Sequence, residues 1–97
     1  MEILLDARCM EGSRETHAYL QETLGFPGYY GKNLDALYEC LCELPDTELA
    51  VMHREEAGKY YLKVEKVLKA AAKENGGLRI VFQESQDMQK DGEKAET

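Results

Sequence analysis

The sequence predicts an α/β fold in which a three-stranded parallel sheet is packed by three to four helices. Three short apolar runs, at residues 3–5, 49–52 and 78–82, alternate with segments of helical periodicity. The resulting β-α-α-β-α-β order supplies the crossovers that parallel pairing requires. We expect the first strand to be central, with the spatial order 2-1-3. We place a single domain at residues 1–83 and a polar tail, expected to be flexible, at residues 84–97.

The first strand, at residues 3–5, is apolar on successive positions, which predicts that helices cover both faces of the sheet. The next element is a helix from Ser13 to Leu24, with Ser13 as its N-cap and Gly25 as its left-handed C-terminal residue. Its apolar stripe includes His17. No nucleophile or second metal ligand lies near this histidine in the sequence, so we expect a buried, hydrogen-bonded residue that fastens the following loop.

A loop rich in glycine and tyrosine follows Pro27 and leads into a second helix. Asn33 is a strong N-cap candidate, and Pro45 stops the helix. The apolar stripe of this helix consists of Leu34, Leu37, Leu41 and Leu44. Asp35, Tyr38, Glu39 and Cys42 fall on the opposite, exposed side. One of Tyr29 and Tyr30 can fill the core while the other faces solvent, but the pattern does not distinguish them.

The third helix spans residues 60–73 and ends at an Asn75-Gly76-Gly77 stop signal. Its apolar positions at helical spacing are Tyr60, Val64, Val67, Leu68 and Ala71. The last apolar run then forms the third strand. No glycine-rich phosphate loop opens any of these helices, because the only glycine pair precedes a strand.

The charge of the chain favours a basic protein partner. A net charge of −7 and a pI of about 4.8 repel nucleic acid and membrane phosphates, although excess acid can also serve solubility alone. The chain has three cysteines, an odd number, and no signal peptide, so we expect a cytoplasmic protein. Cys40 and Cys42 point away from each other on a helix and cannot share a metal ion. We expect no cofactor and a monomer when the protein is free.

Two carboxylates, Asp35 and Glu39, are neighbours on the second helix because they are four residues apart. They could act as paired acid and base catalysts, but such chemistry needs a cleft that gives them different environments. A solvated acidic face without a role is another interpretation. Their clustering with Tyr29, Tyr30 and Tyr38 favours a binding surface, since aromatic residues beside charges are typical of protein interfaces.

Residues 24–41 closely resemble the central segment of the barstar family, cytoplasmic inhibitors of a secreted ribonuclease. The shared pattern is Pro-x-Tyr-Tyr-Gly-x-Asn-Leu-Asp-Ala-Leu. The resemblance implies a barstar-like fold whose loop and second helix plug the active site of a guanyl-specific ribonuclease, with acids imitating the RNA phosphate. Glu39 would be the principal acidic anchor and Asp35 the other acid. Tyr29 would stack on a histidine of the enzyme, and Gly31 and Asn33 would contact the enzyme from the loop.

The chain departs from the family pattern at four positions. Glu39 replaces the usual aspartate, Tyr38 and Leu44 replace tryptophans, and Ala70 aligns with a glutamate of the last helix. The expected partner-binding residues are Tyr29, Tyr30, Gly31, Asn33, Asp35, Tyr38, Glu39 and Cys42.

Three hypotheses follow. The first is a non-enzymatic inhibitor, an immunity protein or antitoxin, that binds a basic extracellular-type ribonuclease or related toxin. The second is a barstar-fold module that binds a non-nuclease protein. The third is a small enzyme that uses Asp35 and Glu39. The first is favoured by the specificity of the motif and by the lack of a catalytic set.

Overall fold

The computed structural model describes residues 1–83, and the tail at residues 84–97, including its expected flexibility, lies outside them. The fold is α/β, as predicted, with three α-helices and three strands. In chain order these are β1 (Glu2–Asp6), α1 (Ser13–Leu24), α2 (Leu34–Cys42), β2 (Thr47–Met52), α3 (Lys59–Glu74) and β3 (Leu78–Gln83). Short 3₁₀ turns at Ala7–Cys9 and Arg54–Glu56 follow β1 and β2.

The sheet is parallel throughout, but its order is β1-β2-β3, so the expected order 2-1-3 is wrong. The central strand is β2, which is the most completely buried of the three. An edge strand has a neighbour on one side only, and its outer-face side chains remain partly in water. Ala50 of β2 is 1% exposed, whereas its register partners Leu4 and Val81 are 58% and 40% exposed.

The same exposures correct the expectation that both faces of the sheet are covered. Side chains alternate across a strand, so register rows alternate between the faces. The row of Leu5, Val51 and Phe82 belongs to the face that packs into the core. The row of Leu4, Ala50 and Val81 belongs to the other face, which is open to solvent at both edges. The helices therefore build a two-layer structure with one sheet face left open.

Helix ends follow local chemistry closely. Gly25 has φ 70° and ends α1 in the left-handed conformation, as predicted. Asn33 caps α2, and its Oδ1 accepts a hydrogen bond from the amide of Ala36 at 2.7 Å. At the start of α1 the prediction is wrong by one residue, since Gly12 occupies the extended N-cap position and Ser13 is already helical.

The core side of α3 confirms Val64, Leu68 and Ala71 of the predicted stripe but differs from it at Tyr60 and Val67. Tyr61, Val64, Leu68 and Ala71 are completely buried, while Tyr60 and Val67 are only partly buried. Glu65 also lies on the buried side, where Arg54 and Lys69 contact the same carboxylate oxygen at 3.3 and 3.2 Å. The sequence did not predict the burial of Glu65, because its ion pair with Arg54, 11 residues away, follows no periodic pattern.

His17 is buried and joins three parts of the fold, as predicted for a structural histidine. Its Nδ1 lies 2.6 Å from the hydroxyl of Tyr30, and its Nε2 lies 2.7 Å from the hydroxyl of Tyr60. A neutral imidazole satisfies both contacts by donating from one nitrogen and accepting at the other. Burial lowers the pKa of His17 below its usual value near 6.5. The ring thus fixes α1 to the loop before α2 and to the first turn of α3.

Asn75 holds the C-terminal end of α2. Its Nδ2 donates to the carbonyl oxygens of Leu41 and Leu44, both at 3.0 Å, and its Oδ1 accepts from the amide of Gly77 at 3.0 Å. Terminal carbonyls of a helix lack partners within the helix. Asn75, which follows α3, therefore supplies hydrogen-bond donors to carbonyls at the end of α2. It also belongs to the stop signal that the sequence predicts for α3.

The His17 contacts predict an acid-sensitive component of stability. Because the folded-state pKa is lowered, the unfolded chain binds the proton more readily. The stabilisation is complete above about pH 6.5 and declines as the pH falls from there toward the folded-state pKa. Urea unfolding of wild type and His17→Gln at several pH values between 5 and 7.5 measures this. We expect the stability difference between them to shrink toward pH 5. A difference that stays constant over this range would contradict the assignment.

Asn75→Ala should destabilise the protein by about 2 kcal/mol, since it removes three hydrogen bonds of a part-buried side chain, each contributing about 0.5–1.5 kcal/mol. Asn75→Asp is the matched variant, because it keeps the acceptor for Gly77 but loses both donors and brings a carboxylate toward carbonyl oxygens. We expect it to be no more stable than Asn75→Ala in urea unfolding. Full stability of Asn75→Asp would show that the contacts to α2 contribute little.

Candidate functional site

Hydrogen bonds to backbone carbonyls hold the loop between α1 and α2. The amide of Phe26 donates to the Gln21 carbonyl at 3.0 Å, and the Gln21 side chain donates to the Pro27 carbonyl at 2.9 Å. The Pro27 carbonyl also accepts from the amide of Tyr30 at 3.0 Å. These bonds fix the turn that follows the left-handed Gly25. The two tyrosines of the loop are consequently presented in defined directions.

Tyr30 is the tyrosine that fills the core, and Tyr29 is the one that faces solvent. Tyr30 is 5% exposed, packs on Phe26 with ring centroids 4.9 Å apart, and bonds to His17. Burial raises the pKa of its hydroxyl well above the usual value of 10. Tyr29 is 89% exposed. Of the two expected binding residues, Tyr29 is therefore accessible to solvent, while Tyr30 packs in the core under the loop.

Close packing shapes the end of the loop. A Cβ atom on Gly31 would lie 3.2 Å from the Ala36 Cβ and 3.4 Å from the Asn33 Nδ2, tighter than ordinary contact. Lys32 adopts a left-handed conformation with φ 57°, which is costly for a residue with a side chain. Asn33 then begins α2, and its Nδ2 lies 3.4 Å from the Gly31 carbonyl. The loop thus reaches α2 in a compact turn that a larger residue at position 31 would disturb.

The exposed side of α2 carries carboxylates that have no basic partner within residues 1–83. Asp35 and Glu39 are both exposed, and the ion pairs formed within residues 1–83 involve other acids. Asp35 lies in the first turn, where the helix dipole favours it. Glu39 is nearer the C-terminal end, where the dipole opposes a negative charge and where α2 has no basic residue. We call the surface of Tyr29, Asp35, Tyr38, Glu39 and Cys42 the acidic face.

Tyr38 and Cys42 form the flank of the acidic face that approaches α3. Both are partly buried against the core. Side-chain contact with Cys42, followed by partial burial and the charges of Cys42 and Glu74, raises the pKa of the Tyr38 hydroxyl. Glu74 is an exposed residue at the end of α3. It therefore contributes an acid beside the face, although the family pattern places Ala70 at the position of the last helix's acid.

The arrangement does not suit paired carboxylate catalysis. Asp35 and Glu39 stand on one exposed helical side and share the same solvent environment, whereas acid and base catalysis needs environments that separate their pKa values. The two cysteines of α2 are free thiols, as is Cys9. Burial, followed by the charges of Glu43 and Glu39, raises the pKa of Cys40 and disfavours a reactive thiolate.

One group of potential metal ligands occurs in the described chain, at His53, Glu55 and Glu56, whose ligand atoms lie within 4.8 Å of one another. His53 Nδ1 already contacts the Glu56 carboxylate at 3.2 Å, and both glutamates are exposed. This turn follows β2 and is separate from the acidic face. No helix within residues 1–83 combines the length and the apolar character needed to span a membrane.

Comparison with known proteins identifies the family of this chain. The family model described as "Barstar (barnase inhibitor)" matches residues 1–97. A protein of Bacillus subtilis (strain 168) named "Putative ribonuclease inhibitor YrdF" is 41% identical over 51 residues, which are 53% of this chain and 56% of that protein. The match thus spans little more than half the length of this curated relative. Because the family model covers the whole chain, with Tyr29, Asn33 and Asp35 on the loop and helix that carry the shared pattern, this protein belongs to the barstar family.

Proposed function

We propose that this protein binds a basic ribonuclease, or a related toxin, through the acidic face and blocks its active site. The observation that carries the proposal is a pair of exposed carboxylates on α2, Asp35 and Glu39, which form no ion pair within residues 1–83, together with the exposed Tyr29 of the preceding loop. A ribonuclease must present cationic groups where the phosphates of its substrate bind. Two carboxylates on a rigid helix offer the same sign of charge as two phosphates, but no bond that the enzyme can cleave.

Preorganisation supports the proposal. The cap at Asn33, the Asn75 contacts and the His17 contacts fix both ends of α2 and the loop before it. Binding then costs little ordering of the backbone, so more of the interaction energy is available as affinity. The net charge of −7 adds long-range attraction toward a basic enzyme and raises the rate of encounter at low salt.

Each residue has a role in this proposal. Glu39 enters the cationic site and replaces one phosphate, and Asp35 contacts a second cation nearer the start of α2. Tyr29 stacks on a planar side chain of the enzyme, such as a histidine. Gly31 and Asn33 offer backbone and amide groups at the loop end, while Tyr38 and Cys42 bury the border toward α3. Because glutamate is one methylene longer than the family's usual aspartate, the proposed enzyme has a slightly deeper pocket.

An inhibitor of this kind belongs in the cell that makes the nuclease. We infer an immunity or antitoxin role in which the nuclease is neutralised before its export. The three free thiols support a reducing, cytoplasmic location. The departures at Tyr38, Glu39 and Leu44 favour a nuclease different in detail from barnase. A capture experiment from the source organism would reveal a non-nuclease partner if the chain has one.

Neutralising either acid should weaken the complex by about 2 kcal/mol or more, roughly 30-fold in Kd. This magnitude is the one measured for interfacial charge pairs in complexes that include barnase–barstar itself, and we adopt it for this member of the family. The proteins to compare are wild type, Asp35→Asn and Glu39→Gln. Each is titrated against purified barnase and against basic proteins captured from an extract of the source organism, with ribonuclease inhibition as the readout.

Glu22→Gln is the matched control, because it removes one charge from an exposed position of α1. We expect it to inhibit like wild type. Glu39→Gln should leave the free protein equally or slightly more stable in urea unfolding, because it removes an acid that the helix dipole opposes. Capture of a partner without ribonuclease activity, or equal inhibition by all four proteins, would overturn the proposal.

A further inference from the structure

The loop and the last turn of α2 enclose a hollow of about 200 Å³ next to the acidic face. Its walls come from the end of α1 and the loop, at Leu24, Pro27 and Tyr29, and from α2 and the residues after it, at Cys40, Glu43 and Leu44. We propose that this hollow is a second anchoring site, which receives one lysine or arginine side chain of the protein that binds the acidic face. This inference rests on the proposed function and adds Glu43 as a residue that determines specificity.

The lining has the chemistry of a site for a long cationic side chain. Leu24, Pro27 and Leu44 provide apolar surface for an alkyl stem, and the ring of Tyr29 can lie against either the stem or the charged head. Glu43 supplies a carboxylate and is exposed, so it can meet the head while water still reaches it. A volume near 200 Å³ is below the 300–1,000 Å³ usual for small-molecule sites, which favours a single side chain over a free metabolite.

The electrostatics of the hollow favour a cation. The charges of Glu43 and Glu39 both act on Cys40, where, after burial, they raise the pKa of the thiol. No basic side chain in the described part of the chain forms an ion pair with Glu43. Glu43 also caps the C-terminal end of α2, where the helix dipole makes a negative charge unfavourable. An incoming cation would relieve this local repulsion.

The hollow continues the acidic face and does not form a separate surface. Asp35, Glu39 and Glu43 are spaced by four residues, so each lies about 40° further round the helix than the one before. The series leads from the centre of the acidic face toward the hollow. Tyr29, which is 89% exposed and was included in the acidic face, also lines the hollow. A partner that covers Tyr29 and Glu39 is therefore placed to insert a neighbouring side chain.

The hollow can be tested without any nuclease. Chemical shifts of backbone amides in the free protein are followed during titration with n-propylguanidinium and n-butylammonium, which stand for arginine and lysine. The uncharged n-propylurea is the matched probe. We expect saturable shifts at Gly25, Cys40 and Glu43 with at least one cation, and about threefold to fivefold weaker binding of propylurea, in the range of a partly exposed ion pair. Glu43→Gln should weaken cation binding to the same extent, while Glu22→Gln should not.

Equal binding of propylurea and the cations, or no saturable shift with either cation, would overturn the proposal. The inhibition assay separates this failure from failure of the proposed function. If the proposal holds, Glu43→Gln weakens inhibition about threefold to fivefold, less than Glu39→Gln does. If only Glu39→Gln weakens inhibition, the acidic face stands and the anchoring site does not. If no variant or wild type inhibits a ribonuclease, the proposed function fails, and the cation titration still decides the chemistry of the hollow.

Discussion

The hydrogen bonds between His17 and two tyrosine hydroxyls are the interaction on which the presentation of the acidic face depends. They connect α1 to the loop through Tyr30 and to α3 through Tyr60. With Tyr30 held in the core, its neighbour Tyr29 has no place inside and extends into solvent. The same anchoring sets where α2 begins, because only a few residues separate Tyr30 from the Asn33 cap. The buried imidazole of His17 thus determines the direction in which the Tyr29 side chain extends.

The helix α2 carries acidic residues and no lysine or arginine. Some acids elsewhere in the described chain form ion pairs, as in Asp46 with Arg79 and Glu65 with Arg54. Along α2, Asp35, Glu39 and Glu43 stand four residues apart without ion-pair partners within residues 1–83, and such spacing is mildly repulsive. Sites that sacrifice stability for binding commonly carry uncompensated charge of this kind. The helix tolerates the repulsion because its apolar side is completely buried at Leu37 and Leu41.

Most local features of the fold and the parallel pairing could be predicted from sequence, but the order of the strands could not. The Asn33 cap, the Gly25 ending and the buried His17 follow from residue type and periodicity. Strand order could not be predicted, because residues 3–5 and 49–52 are similar apolar runs and only the assembled sheet shows which one has neighbours on both sides. The sequence also could not show that Tyr61, and not Tyr60, fills the core, because the two tyrosines are adjacent on the helix.

For the acidic face, the sequence predicted the exposure of the two acids but not the partial burial of Tyr38 and Cys42 or the contributions from other segments. Asp35 and Glu39 are exposed as expected. The charge of Glu74, at the end of α3, acts on Tyr38, and Glu43 lines the hollow beside the loop. Glu74 and Glu43 lie near this surface because separate segments pack together, and residue spacing along the chain does not predict such packing.

The contacts of Asn75 bear on when this protein becomes competent during its synthesis. The carbonyls that it satisfies lie 34 and 31 residues earlier in the chain. While the ribosome is still making α3, α2 can form turns, but the hydrogen bonds from Asn75 to the carbonyls of Leu41 and Leu44 are missing, and short helices are marginal without tertiary support. The surface for the partner is therefore completed only after nearly all of the described chain has emerged. A nascent or prematurely terminated polypeptide would carry the recognition sequence but lack its finished geometry.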